Sequence, residues 1–97
     1  MKTVKNINDL LVIFRENDFF TQFKIKRIGI FGSFARGEQF RDIDLFIEED
    51  IDPLQLLELK TKLESKTGIR FDIMQKKYAE PVILYRALKD MKYATAS

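Results

Sequence analysis

Apolar residues along the chain recur with two periods, one typical of helices and one typical of strands. The first helical pattern follows Asn8-Asp9, whose side chains are suited to capping a helix. Its apolar positions are Leu10, Leu11, Ile13 and Phe14. We predict that this helix ends at Asn17 or Asp18. The phenylalanines that follow are expected to form a connecting segment packed on the core: Phe19, Phe20 and Phe23.

Three short runs rich in isoleucine predict strands, at residues 25–31, 43–47 and 69–74. The first run stops at Gly32. The second and third alternate apolar with acidic or basic residues, which is the pattern of a half-buried strand.

A helix is predicted between the second and third strands. Asp52 is placed to cap it, Pro53 occupies the first helical position where a missing N–H costs nothing, and Gly68 ends it. One face of this helix is apolar: Leu56, Leu59 and Leu63.

A last helix is predicted after Glu80-Pro81. Its apolar positions recur at i, i+3, i+4 and i+7, and we expect them to face the core: Leu84, Ala87, Leu88 and Met91. The resulting order is helix, strand, short helix, strand, helix, strand, helix. It predicts an α+β fold, a small mixed sheet covered by helices, with residues 1–97 forming one domain.

Composition removes several classes of chemistry. The 97 residues include no histidine and no cysteine, which excludes Ser-His-Asp and Cys-His catalysis and zinc sites built on those ligands. A metal ion would have to be a hard cation held by oxygen, such as Mg²⁺. The longest uninterrupted apolar run, residues 10–14, is far shorter than the roughly 18 residues that indicate a membrane span. No secretory pattern opens the chain, and we expect a cytoplasmic protein without membrane association.

The net charge of +2 does not by itself predict nucleic-acid binding. Residues 38–52 are rich in acids, whereas the C-terminal part is basic through Lys76, Lys77, Arg86, Lys89 and Lys92. We interpret the basic residues as a solvated helix face rather than an RNA site.

Gly32 and Ser33 end the first predicted strand where a short helix is expected to begin. The first N–H groups of a helix lack intrahelical partners, so such a turn can hold a phosphate, and the Ser33 hydroxyl adds a donor. The same dipeptide is also compatible with a plain turn and helix cap.

Asp42, Asp44 and Asp72 stand in the second and third predicted strands. Side chains alternate along a strand, so Asp42 and Asp44 share one face, about 6 to 7 Å apart. If the two strands are neighbours, Asp72 joins them, and a cation would relieve the mutual repulsion of the three carboxylates. The alternative is that they only line a wet sheet face.

Together these features suggest phosphoryl or nucleotidyl transfer assisted by two metal ions. A triphosphate on the Gly32-Ser33 turn would face metal ions held by Asp42 and Asp44, with Asp72 near the incoming hydroxyl. Without histidine, the general base is either Asp72 or a metal-bound hydroxide.

Residues 31–38 (FGSFARGE) followed by Asp42-Ile43-Asp44-Leu45 resemble the signature of the polymerase-beta-type nucleotidyltransferase superfamily. The similarity is strongest to its minimal nucleotidyltransferases, of the antitoxin group, and covers essentially the whole chain. Two departures are visible: the segment 34–41 is about two residues shorter than is common in the motif, and Arg41 stands where serine is frequent.

The resemblance implies a nucleotidyltransferase fold and assigns site residues. Gly32 and Ser33 would bind the nucleotide phosphates, Asp42 and Asp44 would ligate Mg²⁺, and Asp72 would be the third acidic residue. Arg36 matches an arginine common in the motif, where it either contacts phosphate or supports the loop.

The resemblance further implies an antitoxin that transfers AMP from ATP to a hydroxyl of a HEPN-type toxin, with Mg²⁺ as cofactor. A second hypothesis is a non-catalytic module that neutralises its partner by masking it, through aromatic residues if exposed: Phe19, Phe20, Phe40 and Tyr85. A third is a small-molecule nucleotidyltransferase resembling the aminoglycoside-modifying enzymes, which usually need a helical domain that we do not expect in this chain.

Overall fold

The computed structural model describes residues 2–96 of the chain. Helices and strands follow in the order α1 (Ile7–Glu16), α2 (Phe19–Gln22), β1 (Arg27–Phe31), α3 (Gly32–Ala35), β2 (Asp42–Ile47), α4 (Pro53–Thr67), β3 (Arg70–Gln75), a 3-10 helix (Lys76–Tyr78), α5 (Pro81–Asp90) and β4 (Lys92–Thr95). Every predicted element is present. The additional elements are α2, the 3-10 helix and β4.

The four strands form one mixed sheet in the order β3-β2-β1-β4. β2 and β3 are parallel and are connected through α4, whereas β1 pairs antiparallel with both β2 and β4. The predicted mixed α+β fold is therefore confirmed.

The ends of α4 follow the sequence signals. The Leu54 N–H donates to the Asp52 carboxylate at 2.8 Å, and Pro53 is the first helical residue. Gly68 closes the helix in a left-handed conformation with φ +71°, which costs glycine little. These signals explain why the boundaries of α4 could be predicted closely.

The start of α1 differs from the prediction. Asn6, rather than Asn8 or Asp9, caps the helix, and its side-chain oxygen accepts the Asp9 N–H at 2.9 Å. Asp9 instead accepts the Lys5 N–H from within the first turn. Several adjacent residues can serve as caps, and only the observed backbone shows which one does.

The hydrophobic core lies between one face of the sheet and helices α1, α2 and α4. Phe14 is fully buried and packs edge-on against Phe19, with ring centroids 5.7 Å apart. Phe20 and Phe23 are buried as well, so the aromatic segment packs on the core as predicted, although part of it is helical.

The C-terminal region departs most from the sequence prediction. Of the expected core stripe, Ala87 is buried, Leu84 and Met91 are half-buried, and Leu88 is 48% exposed; Met91 lies just beyond the end of α5. The chain then returns as β4 along β1, with Ala94 opposite Ile28. This strand is short and mostly polar, and α5 covers only part of the second sheet face. No helix among residues 2–96 is long and apolar enough to cross a membrane.

Candidate active site

Three aspartates lie on the same face of the sheet. β2 and β3 run side by side in a register that places Asp44 directly opposite Asp72. Asp42 precedes Asp44 by two positions and therefore shares its face. Ile43 and Leu45, between and after them, are fully buried on the core side. The predicted adjacency of the two strands is present, and it places the three aspartates on one face of the sheet.

The Gly32-Ser33 turn begins beside Asp44. Phe31, the last residue of β1, is paired with Asp44 across the sheet, so the chain leaves β1 next to that carboxylate. α3 begins at Gly32, and its N-cap, Phe31, offers no side-chain hydrogen bond to the first turn. The first N–H groups of α3 are therefore left to another acceptor.

The closeness of the turn and Asp44 depends on a glycine. Gly32 has φ +76°, and a Cβ placed on it would overlap the Asp44 carboxylate. A side chain at this position would be strained and would displace Asp44. The sequence predicts Gly32 only as a strand end and phosphate turn, because the position of Asp44 beside it depends on the pairing of β1 with β2.

Electrostatics single out Asp44. Burial raises the pKa of its carboxyl above the ordinary value, and repulsion from Asp72 and then Asp42 raises the pKa further. Arg36 acts in the opposite direction and favours the ionised form. The carboxylate is thus half-buried among like charges, an environment that a bound cation would relieve.

Arg36 is engaged by two carboxylates. Its guanidinium pairs with Asp90 at 2.7 Å and with Glu38 at 3.1 Å, and these partners raise its pKa. The first pair joins the turn after α3 to the last residue of α5. In this conformation Arg36 supports the loop, which is one of the two roles that the sequence left open.

The three aspartates are not a closed metal cage. Within residues 2–96 no group of three acidic side chains stands close enough to be a ready-made cation site. Their chemistry nevertheless fits a hard divalent cation, since all are carboxylates and Asp44 experiences the charge of the other two. Side-chain rotation would be needed to bring the three groups around an ion.

Two clefts flank the Gly32-Ser33 turn. A polar cleft of about 470 Å³ is lined by Ser33, Gln39, Phe40 and Arg41. A second cleft of about 280 Å³ lies toward α5 and is lined partly by Gly32 and Arg36. Both are large enough for part of a nucleotide, and Arg41, one of the two departures from the usual motif, lines the first.

The second cleft includes a cationic side chain that the sequence pattern predicts on a solvated helix face. Arg86 lines it together with Ile83 and Asp90 of α5. The spacing i, i+3, i+7 puts these three residues on one side of the helix and was available in the sequence. Without the position of α5, nothing connected that side to Gly32.

Comparison with known families and proteins gives a consistent result. The family described as Polymerase beta, Nucleotidyltransferase matches residues 13–94. The protein adenylyltransferase MntA of Thermococcus cleftensis is 30% identical over 97 residues, covering 96% of this chain and 97% of its own. A Methanocaldococcus jannaschii protein, provisionally named a protein adenylyltransferase, is 39% identical over 80 residues, covering 78% of this chain and 92% of its own.

Solved structures resemble the fold. A crystal structure of a mutant of the toxin-antitoxin MntA-HpeT superposes with a TM-score of 0.71 at 26% identity, covering 95% of this chain and 73% of that chain. A crystal structure of a toxin-antitoxin with AMP-PNP superposes with a TM-score of 0.69 at 25% identity, covering 90% of this chain and 72% of that chain. The site aspartates therefore lie in a fold that is shared with these proteins.

Proposed function

The chain belongs to the polymerase-beta nucleotidyltransferase family, and from this premise we propose that it transfers AMP from ATP to a hydroxyl group of a partner protein, with Mg²⁺ as cofactor. The observation that carries the proposal is the pairing of Asp44 with Asp72 beside the Gly32-Ser33 turn. It brings acidic side chains to the place where a helix start offers free N–H donors.

Each site residue has a role in this proposal. The backbone at Gly32 and Ser33 and the Ser33 hydroxyl donate hydrogen bonds to the triphosphate. Asp42, Asp44 and Asp72 supply the carboxylates for up to two Mg²⁺ ions, and Arg36 fixes the turn against Asp90. When bound, Mg²⁺ neutralises phosphate charge and favours departure of pyrophosphate.

The transfer is a single displacement at phosphorus. The acceptor hydroxyl oxygen forms a bond to the α-phosphorus of ATP as the bond between that phosphorus and the bridging oxygen breaks. Pyrophosphate leaves with that oxygen and its electron pair, and AMP stays on the acceptor. Asp72, on the more exposed strand, accepts the hydroxyl proton.

The partner is proposed from the similar proteins. A relative with 30% identity is named protein adenylyltransferase MntA, and two similar structures are toxin-antitoxins, one of them with AMP-PNP. We infer that this chain is an antitoxin, that its acceptor is a toxin of the HEPN type, and that nucleic acid is not its substrate. Because the reaction consumes ATP, we place it in the cytoplasm.

A second candidate function is neutralisation by masking. It is favoured by apolar side chains exposed along α5: Val82, Ile83, Tyr85 and Leu88. Of the aromatic residues that the sequence offers for such a surface, Phe19 and Phe20 are buried, Phe40 packs against Phe34, and Tyr85 is exposed. A masking surface would therefore be centred on α5.

One assay separates the two functions. The protein is incubated with Mg²⁺, labelled ATP and the purified product of the adjacent gene, and label on that product is measured. We expect transfer by the wild type and a loss of at least about 10²-fold in Asp42→Asn and Asp44→Asn, with circular dichroism confirming that both fold. Binding of the partner without any labelling, together with full neutralisation by both variants, would establish masking instead.

A further inference from the structure

β3 is an edge strand of the sheet. β2 pairs with one side of it, and no strand among the described residues pairs with the other. The Phe71 N–H donates to the Glu64 carboxylate at 2.9 Å, so it points away from β2. Because hydrogen-bonding groups alternate in direction along a strand, the N–H and C=O of Ile73 also point toward the open edge.

A cleft of about 260 Å³ lies along this edge, between β3 and the first turns of α4. Its lining is mostly apolar, with one cation and one carboxylate: Pro53, Leu56, Leu57, Lys60, Asp72 and Ile73. Leu57 is 58% exposed. The cleft is thus continuous with the candidate active site through Asp72.

We propose that the open edge of β3 is where the acceptor protein docks, as an extended segment that pairs with the backbone at Ile73, places an apolar side chain against Leu57 and presents its hydroxyl beside Asp72. This inference rests on the proposed function, since it names how that acceptor is held. An extended polypeptide is the ligand that satisfies both free backbone groups of an edge strand.

The geometry of strand addition puts the hydroxyl in reach. Adjacent strands lie about 4.8 Å apart, and directly opposed side chains have Cβ atoms about 5 Å apart. A serine, threonine or tyrosine opposite Asp72 therefore approaches the carboxylates of Asp72 and Asp44. In the docked segment, the residues before and after this hydroxyl residue point to the opposite face of the sheet, toward Leu57 and Lys60. An apolar side chain fits against Leu57 and an acidic one against Lys60.

The opposite edge of the sheet does not offer this placement. β4 is separated from β2 by β1, so two strands, β4 and β1, would lie between a segment added to β4 and Asp44. Only addition at β3 brings a new side chain directly next to a site carboxylate.

The test compares matched variants in the AMP-transfer assay, with the purified product of the adjacent gene as acceptor. Leu57→Gln removes the apolar contact, and Ile73→Pro removes the edge N–H at a position where proline is tolerated in a strand. Val12→Gln makes a similar change at an exposed apolar position on α1. We expect KM for the acceptor to rise about tenfold or more in the first two and to stay unchanged in Val12→Gln. The KM for ATP should be unchanged in Leu57→Gln.

Hydrogen exchange supplies a readout that does not depend on transfer. Adding the acceptor should slow exchange of the Ile73 amide in the wild type by about tenfold or more. If exchange of the Ile73 amide does not change on adding the acceptor, the docking site is wrong even if AMP is transferred. The same holds if Leu57→Gln and Ile73→Pro both keep the wild-type KM for the acceptor. Protection of Ile73 without any transfer would support the docking site and contradict the proposed function.

Discussion

At the scale of single residues, Asp44 is the position where the features of the site meet. It is paired with Phe31 on one side and with Asp72 on the other, and its carboxylate occupies the space that a Cβ on Gly32 would need. Stability alone does not favour such a position, because a half-buried carboxylate among like charges is costly. We interpret that cost as the consequence of keeping a cation-binding group in place.

The raised pKa of Asp44 gives a pH-dependent prediction for stability. An acid whose pKa is higher in the folded state destabilises the fold once it is ionised, so stability is lost as pH rises from the unfolded pKa through the folded one. Near pH 7 we expect the free energy of unfolding of Asp44→Asn to exceed that of the wild type by about 1 kcal/mol or less. The gain should vanish below about pH 3.9, where the carboxyl is protonated in both states.

Urea unfolding of wild type and Asp44→Asn across this pH range checks the prediction. An equal or lower stability of Asp44→Asn near neutral pH would show that the ionised carboxylate is not penalised by its surroundings.

Two glycines provide a matched test of the contact between the turn and Asp44. Gly32 and Gly37 have nearly the same backbone angle, φ +76° and +75°, but a Cβ on Gly37 would meet no atom within 4 Å. Alanine at either position should lower the free energy of unfolding by about 1 kcal/mol, because the left-handed backbone conformation is unfavourable for a residue with a Cβ. Gly32→Ala should lose a further 1 to 3 kcal/mol or so, because its methyl group displaces Asp44.

Thermal unfolding and titration with Mg²⁺ and AMP-PNP measure the difference between the two variants. Gly37→Ala should retain nucleotide binding and Gly32→Ala should lose it. Similar stability and similar binding in both variants would mean that the turn and Asp44 are not in contact.

At the scale of elements, the helices and strands that could be predicted are those whose boundaries are set by residues within or next to them. The capping aspartate, the first-turn proline and the terminal glycine of α4 are all within or next to the helix. β1 and β3 were shifted by one or two residues, which is the usual uncertainty of a strand end. The alternation around Asp42 and Asp44 predicted the sheet face correctly.

Elements whose environment comes from distant parts of the chain were predicted less well. β4 is a strand because β1 offers it an edge, not because its own four residues are apolar. The sequence predicts a buried stripe on α5, yet the helix packs on the sheet mainly along β1, and Leu88 stays exposed. The link from Arg36 to Asp90 joins residues 54 positions apart, a separation at which sequence spacing gives no guidance.

At the scale of the whole molecule, the two faces of the sheet have different roles: one packs in the hydrophobic core and the other carries the candidate active site. One face, with α1, α2 and α4, carries the fully buried apolar residues of the core. The other face carries the three aspartates and is covered in part by α5. This arrangement leaves the carboxylates open to a nucleotide from the side of the Gly32-Ser33 turn and to an acceptor from the edge at β3.

The central claim is that Asp42, Asp44 and Asp72 hold a magnesium nucleotide beside Gly32 and Ser33. Isothermal titration of the protein with AMP-PNP, with Mg²⁺ and with excess chelator, tests it most directly. We predict saturable binding of one nucleotide per chain that is lost on chelation and is weakened about tenfold or more in Asp44→Asn. Absence of binding, or equal binding by wild type with and without Mg²⁺ and by Asp44→Asn, would contradict the account.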